Sequence, residues 1–493
     1  MPAQPATPTS FLTRPDEVLL RWGKRDVFTL GDAWEGVFVA GATGSGKSSG
    51  SGAHLARAYL KAGMGGLVLT AKKGEREQWE AYCRATHRSG DLRVVVPGGR
   101  YRFNFLDFEL RRPGAGAGHT ENLVHLFAEV LQLAERGSGN GGRDEEGYWR
   151  RACQQLMRNA IDLLVIATGG LSVAELYRLV VSAPADMEQM RSAEWRQTSF
   201  CFSCLRQADE SHKSAQQEHD FEIVTDFFLI EWPQLSEKTR SVILSTFTST
   251  IDVIHRGVLS QLFCADTTLT PEAIEEGAVV VIDLPVKEFG LVGQFAQVLW
   301  KSAFQRSIER RDMRQNARSV FLFADEAQYF ITSPGDHQFQ TTCRAARVAT
   351  VLLTQSIGNL RAALGGSDQG EAETDSLLGN LNTKCLHANG DPVTNEWAAS
   401  LIGRSRQFLV NASSQQQPQG LLAQWAGLRS LPATSAGISE QVDFEVQPKR
   451  FTTLRRGGPA NGKLVDGIVF QGGKRFRANG KTWLPVTFQQ QKG

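Results

Sequence analysis

Short runs of β-branched and apolar residues recur along the chain at 37–40, 67–70, 94–96, 279–284, 320–324 and 348–353. Each is bounded by glycine, proline or charge, and helix-length segments separate them. This is the pattern of strands buried on both faces of a mainly parallel sheet, and it predicts an α/β fold. From residue 113 to about residue 254 the strand signal stops, and apolar residues return at helical spacing, as in Trp149, Cys153, Leu156, Ala160, Ile161 and Leu164. An inserted all-α domain is expected there, with glycine-rich loops at 113–118 and 137–142. The chain then divides into a disordered tail (1–15), the first part of the α/β domain (16–112), the insert (113–254), the second part (255–410) and a linker with a small C-terminal β element (411–493). The Gln/Ser stretch 413–419 predicts the mobile connection, and alternation over 465–470 and 482–488 predicts the β element. No internal repeat of fixed period is visible.

Composition narrows this picture. With 493 residues, 41% hydrophobic and 22% charged, the chain can bury a large core. Its 54 basic and 52 acidic residues nearly cancel, so bulk charge gives no support for wrapping nucleic acid and leaves only local basic patches for such contact. Seven scattered cysteines, an odd set, fit a reducing compartment better than a disulfide framework. The start is rich in Pro, Ala and Thr and lacks the charged beginning and apolar run of a signal peptide. Apolar stretches such as 160–168 and 279–282 fall far below the roughly 20 residues that cross a bilayer. A soluble cytoplasmic chain is the expectation.

The first chemical signal follows the run at 37–40. Gly41-Ala42-Thr43-Gly44-Ser45-Gly46-Lys47-Ser48 reads GxxxxGKS, continued by Ser49 and a helix predicted over 54–61. Glycines at 41, 44 and 46 let successive backbone N–H groups turn around phosphate oxygens, and the helix directs its positive end at the same place. Lys47 is placed to reach the β and γ phosphates of ATP, and the Ser48 hydroxyl to bind Mg²⁺. Against a chance Gly-rich turn, the strand before the loop and the helix after it favour the phosphate site. The motif alone does not separate motors, kinases and switches.

The second signal is the run 319–324 ending in Asp325-Glu326. At a strand exit two neighbouring carboxylates can diverge into one site, with Asp325 on the Mg²⁺ shell and Glu326 on an attacking water. The adjacent pair favours ATPases that activate water over kinases, which act on a substrate hydroxyl. Downstream, Thr354-Gln355-Ser356 ends the next strand, and Gln355 is placed to sense the γ phosphate or position water. Before that strand, Arg344 and Arg347 read either as arginine fingers for a neighbouring subunit's site or as salt-bridging residues on a solvated helix face.

Other features are weaker. Cys201-x-x-Cys204 near His212 lacks a second pair, so packing cysteines are favoured over a metal or redox site. His387, at the end of a predicted strand, touches nucleotide or, the favoured alternative, is a hydrogen-bonded structural histidine. Tyr101, Phe103 and Phe105 alternate with Arg100, Arg102 and Asn104, a pattern that suits stacking on single-stranded bases or an edge strand closing the core.

These residues, with several further blocks, resemble the soluble part of the TraG/TraD-type coupling-protein ATPases of conjugative type IV secretion, in the HerA/FtsK superfamily. The blocks are Arg102-Phe-Asn104-Phe-Leu-Asp107, Trp232-Pro-x-Leu235 with Lys238-Thr-Arg240-Ser-x-Ile243, Asp283-Leu-Pro-Val-Lys287-Glu288 and Asp325-Glu-Ala-Gln328. His387-Ala-Asn389-Gly390-Asp391-Pro-x-Thr394-Asn395 and Phe451-Thr-Thr-Leu454-Arg-x-Gly457-Gly458-Pro459 complete them, over about residues 34–488. The resemblance implies a RecA-like P-loop NTPase domain carrying an all-α domain. It further implies a homo-oligomeric ring, commonly a hexamer, with ATP between subunits and DNA through the centre, and hence an ATP-hydrolysing DNA translocase. By position it points to Lys47, Ser48, Asp325, Glu326 and Gln355, and the spacing to the acidic pair favours Arg344 over Arg347 as the finger. Secretion-system or relaxase-type proteins are implied partners. Members that act as membrane coupling proteins usually begin with transmembrane helices, whereas this sequence starts almost directly at the motor, so any inner-membrane association is expected to be peripheral and through partners. A rival expectation is an ATP-dependent recruiter or scaffold for secreted proteins or a partner enzyme, using the helical insert. Finally, many relatives place Asp before Pro-Lys-Gly, where this chain has Thr70-Ala71-Lys72-Lys73-Gly74. The lysine pair either faces DNA or, as favoured, caps a solvated loop.

Overall fold

The structure, a computed structural model, describes residues 11–114, 116–128, 143–333, 335–415 and 433–490. The first residues of the expected tail, the glycine-rich break at 137–142 and the 416–419 part of the Gln/Ser stretch lie outside them.

The strands are β1 (Val18–Arg21), β2 (Val27–Thr29), β3 (Val37–Ala40), β4 (Gly65–Leu69), β5 (Leu92–Val95), β6 (Val279–Ile282), β7 (Val320–Ala324) and β8 (Val348–Thr354). They continue as β9 (Thr383–His387), β10 (Arg404–Gln415), β11 (Ala433–Phe444), β12 (Leu464–Gln471) and β13 (Trp483–Gln489). Nine of them form one sheet in the order β13-β12-β9-β3-β8-β7-β4-β6-β5. From β9 to β5 every neighbouring pair is parallel. The predicted α/β fold with a mainly parallel sheet is therefore observed, and the predicted runs 37–40 and 320–324 coincide with β3 and β7.

The pleat explains why these strands read as unbroken apolar runs. Alternate side chains point to opposite faces, and both faces are covered. In β3, Val37 and Val39 join one core while Phe38 and Ala40 join the other; in β6, Val279 and Val281 oppose Val280 and Ile282 in the same way.

Between β5 and β6 the described regular elements are helical, from Phe105–Arg111 to Gly257–Phe263 and the short turn Pro271–Ile274. The helix Arg143–Thr168 buries Cys153, Leu156, Ala160, Ile161 and Leu164, the stripe visible in the sequence. Cys201 and Cys204 are buried on the helix Phe200–Glu210, and burial pushes the Cys204 thiol up to about 11, as packing residues require. Among the described residues no group of three or more His, Cys, Asp and Glu is arranged to hold a metal. No single described helix is long and apolar enough to cross a membrane.

The C-terminal alternation resolves into β12 and β13, which do not stand apart. β12 pairs antiparallel with β9 and β13 with β12, so they extend the main sheet beyond β9. Buried Val465, Ile468 and Val469 supply the apolar surface for this. Residues 404–415, placed partly in the expected linker, instead form β10 of a long antiparallel hairpin with β11.

The helix Val286–Arg310 positions two strand ends that matter for the site. Its Gln297 amide donates to the carbonyls of Thr70 (2.6 Å) and Leu284 (2.9 Å) at the exits of β4 and β6. Its buried Lys301 pairs with Asp336 at 2.5 Å and donates to the Phe330 carbonyl at 2.7 Å, while Gln305 holds the other Asp336 oxygen at 2.7 Å. A buried ion pair is tolerable only when so fully bonded, and this one fixes the segment that follows β7.

Candidate nucleotide site

The carboxyl ends of β3, β7 and β8 open on one side of the sheet. β8 lies between the other two, so the loop after β3, the acids after β7 and the polar tip of β8 meet there. The loop 41–47 is tied in at its start: the Gly41 amide donates to the Thr354 carbonyl at 3.3 Å and the Ala42 amide to the Ala388 carbonyl at 2.9 Å. Gly44 and Gly46 then adopt φ of +72° and +88°, values that glycine alone reaches without strain. Gly46 has a second reason to be glycine, because a Cβ there would lie 2.5 Å from Val465 Cγ2 of β12. Ser48 opens a short π-helical turn, Ser48–Gly52, that runs into the helix Ala53–Lys61, one residue longer at its start than predicted.

Ser48 Oγ donates to Asp325 Oδ2 at 2.6 Å. A hydroxyl and a carboxylate side by side form the hard oxygen set that suits Mg²⁺, so the residues present fit the ion. The buried Lys47 ammonium lies 3.5 Å from Glu326 Oε1. Glu326 is buried at φ +54°, ψ +52°, a left-handed conformation uncommon for a non-glycine residue and a mark of strain kept at a functional position. Burial alone raises its carboxyl, yet hydrogen bonds from Lys72 and Gln328 and the charges of Lys47 and Lys72 outweigh that and hold it at about 2. Gln328 donates to Glu326 Oε2 at 2.9 Å and accepts from Thr354 Oγ1 at 2.9 Å, which links the acid to the end of β8. Gln355 Nε2 lies 3.3 Å from Glu326 Oε1.

The structure thus brings together Lys47, Ser48, Asp325, Glu326 and Gln355. It does not bring Arg344 to them. Arg344 lies in the turn before β8, with a side chain 70% exposed and 3.1 Å from Glu35. β8 is 7 residues long, so at ~3.3 Å per residue this turn is roughly 20 Å from Gln355, at the opposite end of the sheet. Arg347 is occupied structurally, donating to the Ala317 carbonyl at 2.9 Å and lying over the Trp34 ring.

Several residues gain roles that the sequence did not assign. Lys72 donates to Glu326, so it is neither a plain loop cap nor a free surface charge. Asn389 donates to the Gln355 carbonyl at 2.9 Å and supports that tip. Arg456, from the segment before β12, donates to the Thr43 carbonyl at 2.6 Å and braces the phosphate loop. The departure from Pro-Lys-Gly at residue 72 was the available signal for the first; Asn389 lay inside a quoted block without a role, and Arg456 fell on the one unspecified position of the block 451–459. His387 is the structural histidine favoured above: Nε2 meets Ser51 Oγ at 2.7 Å, Nδ1 meets the Asp466 carbonyl at 2.9 Å, and burial pushes it down to about 4. Phe103 and Phe105 are buried, outside any strand, with Phe103 against Trp300; they close the core and do not face solvent.

A glycine-rich loop between strand and helix, a serine bonded to an acid two strands away and a second buried acid beside the loop lysine define a P-loop NTPase of RecA-like fold. Comparison with known proteins narrows the class. Residues 319–437 match the family model described as the TraM recognition site of TraD and TraG. Over the whole chain the fold is similar to the bacterial conjugative coupling protein TrwBdeltaN70 in an unbound form (TM-score 0.60, 15% identity, 97% of this chain and 90% of that one). It is similar also to TrwB in complex with ADP and Mg²⁺ (TM-score 0.60, 14% identity, 98% and 91% covered) and with the non-hydrolysable ATP analogue ADPNP (TM-score 0.57, 15% identity, 98% and 91% covered). No protein of curated function matches the sequence. The resemblance to TraG/TraD-type coupling proteins therefore holds, directly over residues 319–437 and elsewhere in the fold.

Proposed function

We propose that this chain is an ATP-hydrolysing DNA translocase that works as a ring of identical subunits. The observation that carries the hydrolytic part is the buried, ionised Glu326 beside the Ser48–Asp325 pair. Amides of the loop 41–49 and the Lys47 ammonium bind the phosphates, while Ser48 and Asp325 hold Mg²⁺, which when bound offsets charge on the transferring group. Glu326 accepts the proton of the attacking water, and Gln355 orients that water against it. Arg344, too far away to serve its own subunit, is the finger offered to a neighbour's site. DNA as cargo rests on the likeness to conjugative coupling proteins.

The test is the ATPase rate with and without single- or double-stranded DNA at low and moderate salt. The expected result is stimulation that falls as salt rises, because backbone contacts release counterions. Equal rates in all conditions sink the motor reading. A second reading, a nucleotide-dependent recruiter of protein partners, is favoured by one observation: the matched segment is described in TraD and TraG as a protein-recognition site. It predicts ATP-dependent capture of a relaxosome-type protein by a chain whose turnover ignores DNA.

A further inference from the structure

Glu326 faces two lysines, and they differ in what else they have to do. Lys47 belongs to the β and γ phosphates once nucleotide is present. Lys72, on the loop leaving β4, donates to Glu326 Oε1 from a side chain that is 41% exposed, whereas the glutamate side chain is 2% exposed. One cation therefore bridges from the buried acid to the surface.

It has basic neighbours there. Lys73 is 85% exposed and pairs with Glu288 at 3.6 Å. Lys287 is fastened to the same loop by its amide, which donates to the Ala71 carbonyl at 3.0 Å, and its ammonium lies 5.4 Å from the Tyr329 ring. Its hydrogen bond to Tyr329 raises its affinity for protons, and it feels both the attraction of Glu326 and a smaller repulsion from Lys72. Of the acids nearby, Asp283 pairs with Arg76 at 3.3 Å, and Glu75, which accepts the Ala71 amide at 2.7 Å, has its carboxyl pushed up to about 8 by burial and by the charge of Asp325.

A general base must lie within hydrogen-bond reach of the proton it takes, and a carboxylate oxygen already occupied by an ammonium is closed to the attacking water. We infer that Lys72 is a positioning residue that restrains Glu326 until the phosphodiester backbone of DNA occupies Lys72, Lys73 and Lys287 and draws the ammonium off the carboxylate. A phosphate oxygen offers the same charge-assisted bond as the carboxylate, and the flexible lysine stem reaches either. Once released, Glu326 keeps Gln328 and Gln355 as hydrogen-bond partners and stays aimed. The inference rests on the DNA-motor reading and adds to it a route from cargo to chemistry.

The experiment compares full-length wild type, Lys72→Ala and Lys72→Arg in steady-state ATPase assays, with a single-stranded oligonucleotide, a linear duplex or neither. Lys72→Ala is expected to raise the DNA-free kcat roughly threefold or more, leave KM for ATP within about twofold, and bring the DNA-stimulation ratio close to one. Lys72→Arg restores a low DNA-free rate and the stimulation. The pair Lys73→Ala and Lys287→Ala raises the DNA concentration needed for half-maximal stimulation. If Lys72→Ala lowers kcat with and without DNA by the same factor, the residue merely supports Glu326 and the coupling is overturned. An unstimulated wild type overturns the motor reading and the coupling together; a wild-type stimulation ratio in Lys72→Ala overturns the coupling alone.

Discussion

Glu326 combines three demands on one residue: it is buried, backbone-strained and ionised. A left-handed backbone costs a non-glycine residue about 1–2 kcal/mol, and the hydrogen bonds from Lys72 and Gln328 help to offset it. Glu326→Gln keeps the shape and removes the base. It is expected to bind ATP, as read by a fluorescent analogue, while turnover falls by roughly 10²–10⁴; unaltered turnover removes Glu326 from the mechanism. Lys47, Ser48, Asp325, Glu326 and Gln355 were legible because their chemistry is written in short spacings next to recognisable strands. Lys72 was not, because its partner stands 254 positions away in sequence and only the folded sheet sets β4 beside β7. Arg344 could be nominated from sequence, but its separation from its own subunit's site could not.

The loop after β3 depends on an element that the sequence did not connect with it. Gly46 adopts φ +88° and touches β12, so Gly46→Ala is expected to weaken nucleotide binding roughly tenfold or more, about 1.4 kcal/mol per decade. Adding Val465→Ala should recover the steric part of that loss and leave the backbone part, a partial rescue readable by calorimetry. The junction of β9 and β12 also carries a pH response. Buried His387 has its affinity for protons pushed down to about 4, from an ordinary value near 6.5. Protons then bind the unfolded chain more readily, so the stability this neutral histidine allows is complete above about pH 6.5 and is lost as pH falls towards 4. His387→Gln should flatten the dependence of chemical-denaturation midpoint on pH in that window. The same junction shows why β9, expected only as the strand ending at His387, is absent from the apolar runs. Lys384 sits in it fully enclosed, its ammonium pushed down to about 8 by burial, so Thr-Lys-Cys-Leu-His is buried without being apolar. Strands with apolar residues on both faces were readable; β10 and β11, which pair only with each other, were not.

At the scale of the molecule, the roughly 20 Å between Arg344 and Gln355 is what the proposed ring requires, an arginine out of reach of the site on its own chain and offered to a neighbour's. Arg344→Ala is expected to lose turnover by roughly 10³ while retaining nucleotide binding. Mixing it with inactive Glu326→Gln should restore measurable turnover, because some sites then join an intact glutamate from one subunit to an intact arginine from the next. A mixture as inactive as its components rules out this sharing. The α/β class, the helical character of the segment between β5 and β6 and the near-neutral charge were legible at this scale; the joining of β12 and β13 to the central sheet was not, since alternation reveals a strand but not its neighbour.

That joining bears on how the protein is made. Arg456 and Thr43, which meet at the phosphate loop, are 413 positions apart. Contacts of such separation form late, since the intervening chain must be ordered first. On the ribosome, synthesis at about 5–20 residues per second puts tens of seconds between the two. Throughout that interval the loop exists without its brace and without Val465 against Gly46, so the phosphate loop is completed only when the last strands arrive.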